Sequence, residues 1–179
     1  MPKVVVVVTG GIAAYKAAAL VSLLVKQDCE VRVVMTEAAQ QMVAAATFAA
    51  LSARPVVTEV FDRAFPLGPH IELARWADVM VVAPATANWL AKAAVGLADD
   101  LSSLLYLAFS GPKLVAPAMN AEMWAHVAVQ RNVQQLRADG VQFVGPTSGW
   151  QACRTDGAGR MSEPPEIWAQ LQALLGRAP

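Results

Sequence analysis

Cysteine is scarce in this chain of 179 residues, which contains only Cys29 and Cys153. Two cysteines cannot build the disulfide framework of a small secreted domain, and no metal-binding spacing accompanies them. The apolar run Val4–Val8 is too short for the hydrophobic region of a secretory signal, and it leads directly into Thr9 and two glycines. These absences predict a cytoplasmic protein without disulfides or a resident metal.

Charge is also scarce, and the two signs balance. The 14 basic and 14 acidic residues give no net charge, which argues against nucleic acid or an anionic membrane surface as a partner. Hydrophobic residues make up 56% of the chain, above the usual share of about 45–50%. The apolar stretches Ala13–Val25 and Val79–Ala94 are interrupted by polar or charged residues, so neither reaches the roughly 20 residues of a membrane span. The surplus apolar surface therefore predicts a homo-oligomer.

Short β-branched runs alternate with alanine- and leucine-rich segments along the chain. The predicted strands are Lys3–Thr9, Glu30–Met35, Pro55–Thr58, Val79–Ala83, Lys113–Ala116 and Val141–Val144. The predicted helices are Ala13–Lys26, Glu37–Leu51, Ile71–Trp76, Asn88–Ala94, Leu101–Phe109, Ala121–Asp139 and Glu166–Leu175. This alternation predicts a Rossmann-like, doubly wound parallel sheet in three α/β/α layers, formed by one domain over residues 1–179.

Ligands in such sheets bind at the carboxyl ends of the strands, so the residues that follow strands matter most. The segment "TGGIAAYK" (9–16) suits either a single phosphate or a tight turn into a helix. Thr86 and Asn88 could hold a ring edge or a phosphate, although a helix N-cap by Thr86 is the simpler interpretation. Asn120 could likewise cap a helix or donate its amide to a substrate carboxylate.

Histidine and acidic candidates are few. His70 lies between Pro69 and a short predicted helix, where it could serve as a general base or simply lie at the surface. His126 is predicted to lie within a helix and to be structural. Asp99 and Asp100 are predicted to be a solvated or capping pair. Cys153 lies in the glycine-containing segment "QACRTDGAGRM" (151–161), which is an unusual place for a buried thiol.

Four segments occur in one order: "TGGIAAYK", "APATANWLAKAAVGLADD", "VAPAMNAEMW" and "ACRTDGAGRM". Together they resemble the homo-oligomeric flavin-containing cysteine decarboxylases from Val4 to about Ile167. The resemblance implies an FMN-binding flavoprotein fold that assembles into a homotrimer or homododecamer. It also implies decarboxylation of 4′-phosphopantothenoyl-L-cysteine to 4′-phosphopantetheine in coenzyme A biosynthesis. Functional coupling to a phosphopantothenate–cysteine ligase, which is often fused behind such a domain, is implied as well.

Site residues carry over from the resemblance by position. His70 and Cys153 are the implied catalytic residues, and a flexible segment at about 145–163 is implied to cover the substrate. The implied substrate contacts are Met119, Asn120, Ala152 and Arg154. The implied FMN contacts are Gly10, Gly11, Ile12, Thr36, Thr86, Ala87, Asn88, Trp89 and Ala118.

The implied chemistry explains these residue types. Loss of carbon dioxide from cysteine needs an electron sink. The resemblance implies that the flavin provides one by oxidising the thiol to a thioaldehyde, after which decarboxylation gives an enethiolate. By the same resemblance His70 assists deprotonation of the substrate, Asn120 holds its carboxylate and Cys153 protonates the enethiolate. There are two alternative functions. The chain could carry out oxidative decarboxylation of a peptide's C-terminal cysteine, or it could be a non-catalytic flavin-binding regulatory subunit.

The chain departs from the family pattern at several positions. Gly11 replaces a usual serine, Trp89 ends a run that usually reads S-A-N-T, and Asp100 replaces the asparagine of A-D-N. Arg154 stands where a glycine usually follows the catalytic cysteine. Two roles are open for Arg154, because its charge could favour the thiolate of Cys153 or meet the phosphate of the substrate.

Overall fold

The computed structural model describes residues 1–176 and has at its centre a parallel sheet of five strands. The strands are β1 (Lys3–Val8), β2 (Glu30–Met35), β3 (Val79–Ala85), β4 (Lys113–Pro117) and β5 (Gln142–Phe143), in the spatial order β2-β1-β3-β4-β5. The winding direction therefore reverses between β1 and β3. In an open α/β sheet the crevice at this reversal is where ligands bind.

Helices cover both faces of the sheet, and a separate antiparallel hairpin follows the last sheet strand. The helices are α1 (Ala14–Lys26), α2 (Glu37–Gln40), α3 (Ala45–Ser52), α4 (Pro69–Trp76), α5 (Ala87–Val95), α6 (Leu101–Ala108), α7 (Ala121–Ala125), α8 (Val127–Ala138) and α9 (Pro164–Leu175). The hairpin consists of β6 (Thr147–Trp150) and β7 (Asp156–Arg160). No helix within residues 1–176 is long and apolar enough to cross a bilayer.

The side chains of β1 divide between two apolar cores, as expected for a strand buried on both faces. Val4, Val6 and Val8 join the core formed with α1, α3 and α9. Val5 and Val7 join the core formed with α4, α5, α6 and α8. This arrangement confirms the predicted three-layer, doubly wound architecture.

Several predicted elements differ from the structure. The predicted helix Glu37–Leu51 is two helices, α2 and α3, and Val57 contributes only an isolated bridge to Val34 instead of a strand over Pro55–Thr58. The predicted helix Ala121–Asp139 is divided at His126, so the interpretation of His126 as a residue within a helix is wrong. The Nδ1 atom of His126 accepts a hydrogen bond from the backbone N–H of Ala128 and thereby caps α8.

The largest difference is the hairpin, because the sequence predicted no strand beyond Val141–Val144. β6 and β7 are rich in glycine and poor in β-branched residues, so they lack a strand signal of their own. Contacts with the rest of the fold hold them in place. The backbone N–H of Met119, just beyond β4, donates to the carbonyl of Gly159 at 3.0 Å.

Candidate functional site

Two adjoining cavities open at the reversal between β1 and β3. The first, which we name the hairpin cavity, has a volume of about 390 Å³ and extends from Gly10–Ala13 to Gln151–Cys153 of the hairpin. The second, the threonine cavity, has a volume of about 460 Å³ and extends from Thr9 and Thr36 to Lys92 and Asp100. Gly10 and Thr86 line both cavities. Each volume falls in the range of about 300–1,000 Å³ that is typical of small-molecule sites.

The structure distributes the predicted cofactor residues between the two cavities. Gly10, Gly11, Ile12, Thr86, Ala87 and Ala118 line the hairpin cavity. Thr36, Asn88 and Trp89 line the threonine cavity together with Gly10 and Thr86. All nine predicted residues therefore face one continuous region at the carboxyl edge of the sheet.

The predicted substrate contacts and catalytic residues are only partly brought together. Met119, Asn120, Ala152 and Cys153 line the hairpin cavity. Arg154 and His70 belong to neither cavity lining within one chain. His70 lies in the first turn of α4, where its Nδ1 atom is buried and has no hydrogen-bond partner among the described residues.

The junction between β1 and α1 forms a close cradle. A Cβ atom on Gly10 would overlap the side chain of Ala38, whereas a Cβ atom on Gly11 would lie 3.4 Å from Thr86 Cγ2, an ordinary contact distance. Helix α1 has no side-chain cap at its N-terminus. The N–H groups of Ala14 and Lys16 donate to the carbonyls of Gly11 and Ala13 within this turn, so the feature that favours an anionic ligand here is the positive end of the α1 dipole.

A network of threonine hydroxyls joins β1 to β3 at the cavity border. Thr9 Oγ1 donates to the carbonyl of Pro84 at 2.7 Å and accepts from the backbone N–H of Thr86 at 3.1 Å. Thr86 Oγ1 in turn accepts from the N–H of Trp89 at 3.3 Å and caps α5. The predicted N-cap role of Thr86 is therefore confirmed, and this cap lies at the border of the two cavities.

Two more strand-end residues cap helices in the same manner. Thr36 Oγ1 accepts from the N–H of Ala39, and Asn120 Oδ1 accepts from the N–H of Met123 at 2.8 Å. Because the oxygen of the Asn120 amide is used for capping, the orientation of its NH₂ group is fixed. Within residues 1–176 that NH₂ group donates to no protein atom, which leaves it free for a ligand in the hairpin cavity.

Trp89 is largely a core residue, although it lines the threonine cavity. Its side chain is buried and packs edge to face against Tyr106, with ring centroids 5.4 Å apart. Its indole Nε1 is buried without a hydrogen-bond partner in the described part of the chain. Trp89 therefore borders the cavity, while its ring packs α5 against α6.

The acidic pair at the far end of the threonine cavity is structural. Lys92 Nζ contacts Asp99 at 2.7 Å and Asp100 at 2.8 Å, and these bonds, with Asp100 first, raise the pKa of the lysine. Burial by itself would raise the pKa of Asp100, but hydrogen bonds from Lys92, Ser102 and the N–H of Ser103 hold it at about 2. Asp100 forms a capping box with Ser103 at the start of α6, which confirms the predicted capping role.

Several residues of the hairpin cavity were not predicted from the sequence. Lys16 and Tyr15 lie one helical turn beyond the glycines of the cradle, and this spacing could have indicated them. Gln151 and Trp150 lie two and three positions before Cys153, and because neither has an ionisable group the sequence gave no signal for them. Ile12, Tyr15 and Trp150 are each more than 60% exposed, so the mouth of the cavity has an apolar rim.

The fold and the cavities define an α/β protein with a ligand site at the reversal point of its parallel sheet. Comparison with known proteins identifies the family: the sequence profile named Flavoprotein matches residues 1–176, so the chain belongs to the Flavoprotein family. A curated relative, the coenzyme A biosynthesis bifunctional protein CoaBC of Haemophilus influenzae, is 46% identical over 175 residues. That alignment covers 97% of this chain and 44% of the relative, so the chain spans less than half of the relative's length.

Two solved structures of cysteine decarboxylases are also similar to this chain in sequence and in fold. The FMN-dependent cysteine decarboxylase SpaF is 34% identical, with a TM-score of 0.86 over 99% of this chain and 97% of SpaF. A PPC decarboxylase with a cysteine-to-serine mutation, complexed with pantothenoylaminoethenethiol, is 30% identical, with a TM-score of 0.88 over 98% of each chain. These comparisons confirm the resemblance indicated by the four sequence segments.

Proposed function

We propose that this chain is an FMN-dependent decarboxylase that converts 4′-phosphopantothenoyl-L-cysteine to 4′-phosphopantetheine. The observation that carries the proposal is the hairpin cavity, which contains the glycine cradle, the free amide of Asn120 and the thiol of Cys153. The similarity to CoaBC and to a PPC decarboxylase supports the choice of substrate. Cysteine decarboxylation needs an electron sink, and the similarity to an FMN-dependent enzyme supports FMN in that role.

The residues at the reversal point fit a flavin mononucleotide. The positive end of the α1 dipole and the hydroxyls of Thr36 and Thr86 suit a phosphate, and Gly10, where a Cβ atom would overlap Ala38, lines both cavities. When bound, the flavin would supply a two-electron oxidation of the substrate thiol and the later return of those electrons. The proposed protein contacts are those of the two adjoining cavities.

The chain's own residues would orient the substrate and move protons. The NH₂ group of Asn120, with its orientation fixed by the helix cap, would donate to the substrate carboxylate. Cys153 in the hairpin would deliver the proton to the enethiolate after carbon dioxide leaves. The hairpin would also cover the substrate and, with the apolar rim, exclude water from the reactive thioaldehyde.

We further propose that the protein assembles with copies of itself and that His70 acts across such an interface. His70 lies outside both cavity linings of its own chain, and its buried Nδ1 atom has no partner among residues 1–176. Large apolar side chains are also exposed, including Phe61 and Val127. Three further points stay predictions: assembly as a homotrimer or homododecamer, a cytoplasmic location, and coupling to a phosphopantothenate–cysteine ligase. The similarity to the bifunctional protein CoaBC supports the last of them.

The test is turnover of the purified protein with 4′-phosphopantothenoylcysteine while the flavin spectrum is recorded. We expect a yellow protein that releases carbon dioxide and forms 4′-phosphopantetheine. A Cys153→Ser variant should stop at the oxidised enethiol with reduced flavin, whereas the matched Cys29→Ala variant, at the buried cysteine, should complete the reaction. A colourless protein that takes up no FMN would exclude the proposal, and unchanged turnover by Cys153→Ser would remove that thiol from the mechanism.

A second candidate is oxidative decarboxylation of a peptide's C-terminal cysteine, because the similarity to the FMN-dependent cysteine decarboxylase SpaF supports the class of reaction without specifying the substrate. The two functions differ in their products, because the peptide reaction would end at the enethiol. Cys153 in the hairpin cavity favours the complete reaction, since its proton is needed only for the final step. Incubation with cysteine-terminated peptides and with the phosphopantothenoyl substrate, followed by mass spectrometry, distinguishes the two.

A further inference from the structure

Gln151 is buried within a turn that is otherwise exposed. Its exposed fraction is 6%, whereas residues 152–156 that follow it are all exposed. Its side-chain Nε2 donates to the carbonyl of Ala158 at 3.0 Å and is 3.4 Å from that of Gly157, both on β7. A glutamine whose amide is buried and hydrogen-bonded at both ends is held in one orientation, and a substitution would leave its partners unsatisfied.

The oxygen of the same amide connects the hairpin to the helix that bears Asn120. Gln151 Oε1 accepts a hydrogen bond from the backbone N–H of Ala121, the first residue of α7, at 3.1 Å. Asn120 is the cap of that helix. One side chain therefore fixes the position of the hairpin relative to the predicted substrate-binding amide.

The Cys153 thiol contacts the same oxygen. The distance from Cys153 Sγ to Gln151 Oε1 is 3.5 Å, and the second group within reach of the sulfur is Thr155 Oγ1 at 3.1 Å. The backbone of Gln151 closes the turn around the thiol, because its N–H donates to the carbonyl of Thr155 and its carbonyl accepts from the N–H of Arg154. Gln151 thus holds both the turn and the sulfur.

Close packing reinforces this connection. A Cβ atom on Gly157 would lie 2.6 Å from Ala121 Cβ, and one on Gly159 would overlap the carbonyl oxygen of Met119. The hairpin and the segment after β4 therefore meet without a gap, and the amide of Gln151 supplies the polar contact within that junction.

We propose that Gln151 is a positioning residue that docks the hairpin onto α7 and aims the Cys153 thiol into the hairpin cavity beside Asn120. The inference rests on the proposed function only for the role of the thiol in turnover. The effect of Gln151 on the position of the thiol can be measured without substrate or flavin. Failure of the positioning role is therefore distinguishable from failure of the proposed decarboxylase function.

The test is the rate at which Cys153 is alkylated by iodoacetamide at pH 7, measured by peptide mass spectrometry. Gln151→Met keeps the length of the side chain and removes its hydrogen bonds, so the turn should open and alkylation should accelerate by about two- to tenfold. Gln142→Met, at an exposed glutamine of β5, is the matched control and should leave the rate unchanged. Buried Cys29 reports on general unfolding and should stay slow in every variant.

Gln151→Glu keeps the oxygen that accepts from the Ala121 N–H and from the thiol but loses the donor to the carbonyls of Gly157 and Ala158. Its alkylation rate should therefore lie between those of the wild type and Gln151→Met. In turnover, Gln151→Met should lower kcat more than it raises KM and should release the oxidised enethiol, as expected if the thiol is misplaced. Unchanged alkylation of Cys153 in folded Gln151→Met, or equal acceleration at Cys29, would overturn the proposal.

Discussion

The ammonium group of Lys16, on the first helix, lies 2.5 Å from Oε1 of Glu163, which immediately precedes the last helix. Lys16 is largely buried, and its Nζ also donates to the carbonyl of Met161 at 3.2 Å. Because Met161 directly follows β7, the lysine fastens the base of the hairpin to the wall of the cavity. The hydrogen bond from Lys16 is the main cause of a lowered pKa at Glu163.

We predict that this attachment weakens in acid. A carboxylate with a depressed pKa contributes stability above its ordinary value of 4.5, and the contribution is lost as the pH falls through the lower folded value. Because Glu163 is half exposed and solvent screens the pair, Lys16→Met should reduce the free energy of unfolding by about 1 kcal/mol at pH 7 and by less at pH 3. Urea unfolding at the two pH values measures this, with Lys26→Met at the exposed end of α1 as the control. A Lys16→Met penalty that is independent of pH would contradict the assignment.

The capping box of Asp100 predicts a second acid-dependent effect. Asp100→Ala removes an N-cap and should cost about 1–2 kcal/mol at pH 7. Asp99→Ala removes only a half-exposed ion pair with the same lysine and should cost less than about 1 kcal/mol. Because the pKa of Asp100 is about 2, its contribution is complete above the ordinary value of 3.8 and should disappear as the pH falls from about 4 to 2. Thermal unfolding across this range would show equal penalties for the two variants if Asp100 were not the cap.

The two adjacent glycines of the cradle should respond differently to the same substitution. Gly10→Ala places a methyl group into Ala38 and should cost about 1–3 kcal/mol in flavin binding or stability. Gly11→Ala and Gly11→Ser place Cβ at an ordinary distance from Thr86, so both should fold normally. Fluorescence titration with FMN measures the affinities. Tighter binding by Gly11→Ser than by Gly11→Ala would show that the usual serine supplies a contact which this chain lacks.

Arg154 adopts a backbone conformation that favours glycine. Its φ angle is +65°, in the left-handed region, which costs a residue with a side chain about 1–2 kcal/mol. We expect Arg154→Gly to stabilise the turn around Cys153, whereas Arg154→Ala removes the charge and keeps the unfavourable conformation. Differential scanning calorimetry compares the two variants. The predicted substrate contact is tested in parallel: if Arg154 binds the phosphate, both variants raise KM and Arg154→Lys does not.

The sheet and its order along the chain could be predicted because β1 to β4 are mostly apolar, valine-containing runs that are followed by threonine or, in β4, end at proline. Sequence periodicity also located α1, α5, α6 and α9 to within two residues at their N-termini. It could not locate the breaks after Gln40 and at His126. At both breaks the local sequence stays rich in helix-forming residues, and a cap or a tertiary contact decides where the helix ends.

The candidate site likewise contains residues that could be predicted from the sequence and residues that could not. Residues at strand ends, such as Thr86 and Asn120, were predictable because the topology of a doubly wound sheet brings strand ends together. The hairpin was not, because β6 and β7 are specified by Gln151 and by the contacts of Gly157 and Gly159 with residues 119–121. Such contacts between residues 30 to 40 positions apart leave no periodic pattern in the sequence.

Thr36, Thr86 and Asn120 each use a side-chain oxygen to cap a helix whose first turn borders a cavity. Natural variation at these positions is therefore subject to two selections at once, one for folding and one for the ligand. An alanine scan would confound the two, since it removes the cap together with any contact to the ligand. Replacements that keep the cap, such as Thr86→Ser and Asn120→Asp, separate the two. At each position, comparing the ligand affinity of the cap-keeping variant with that of the alanine variant measures what the ligand alone requires of the residue.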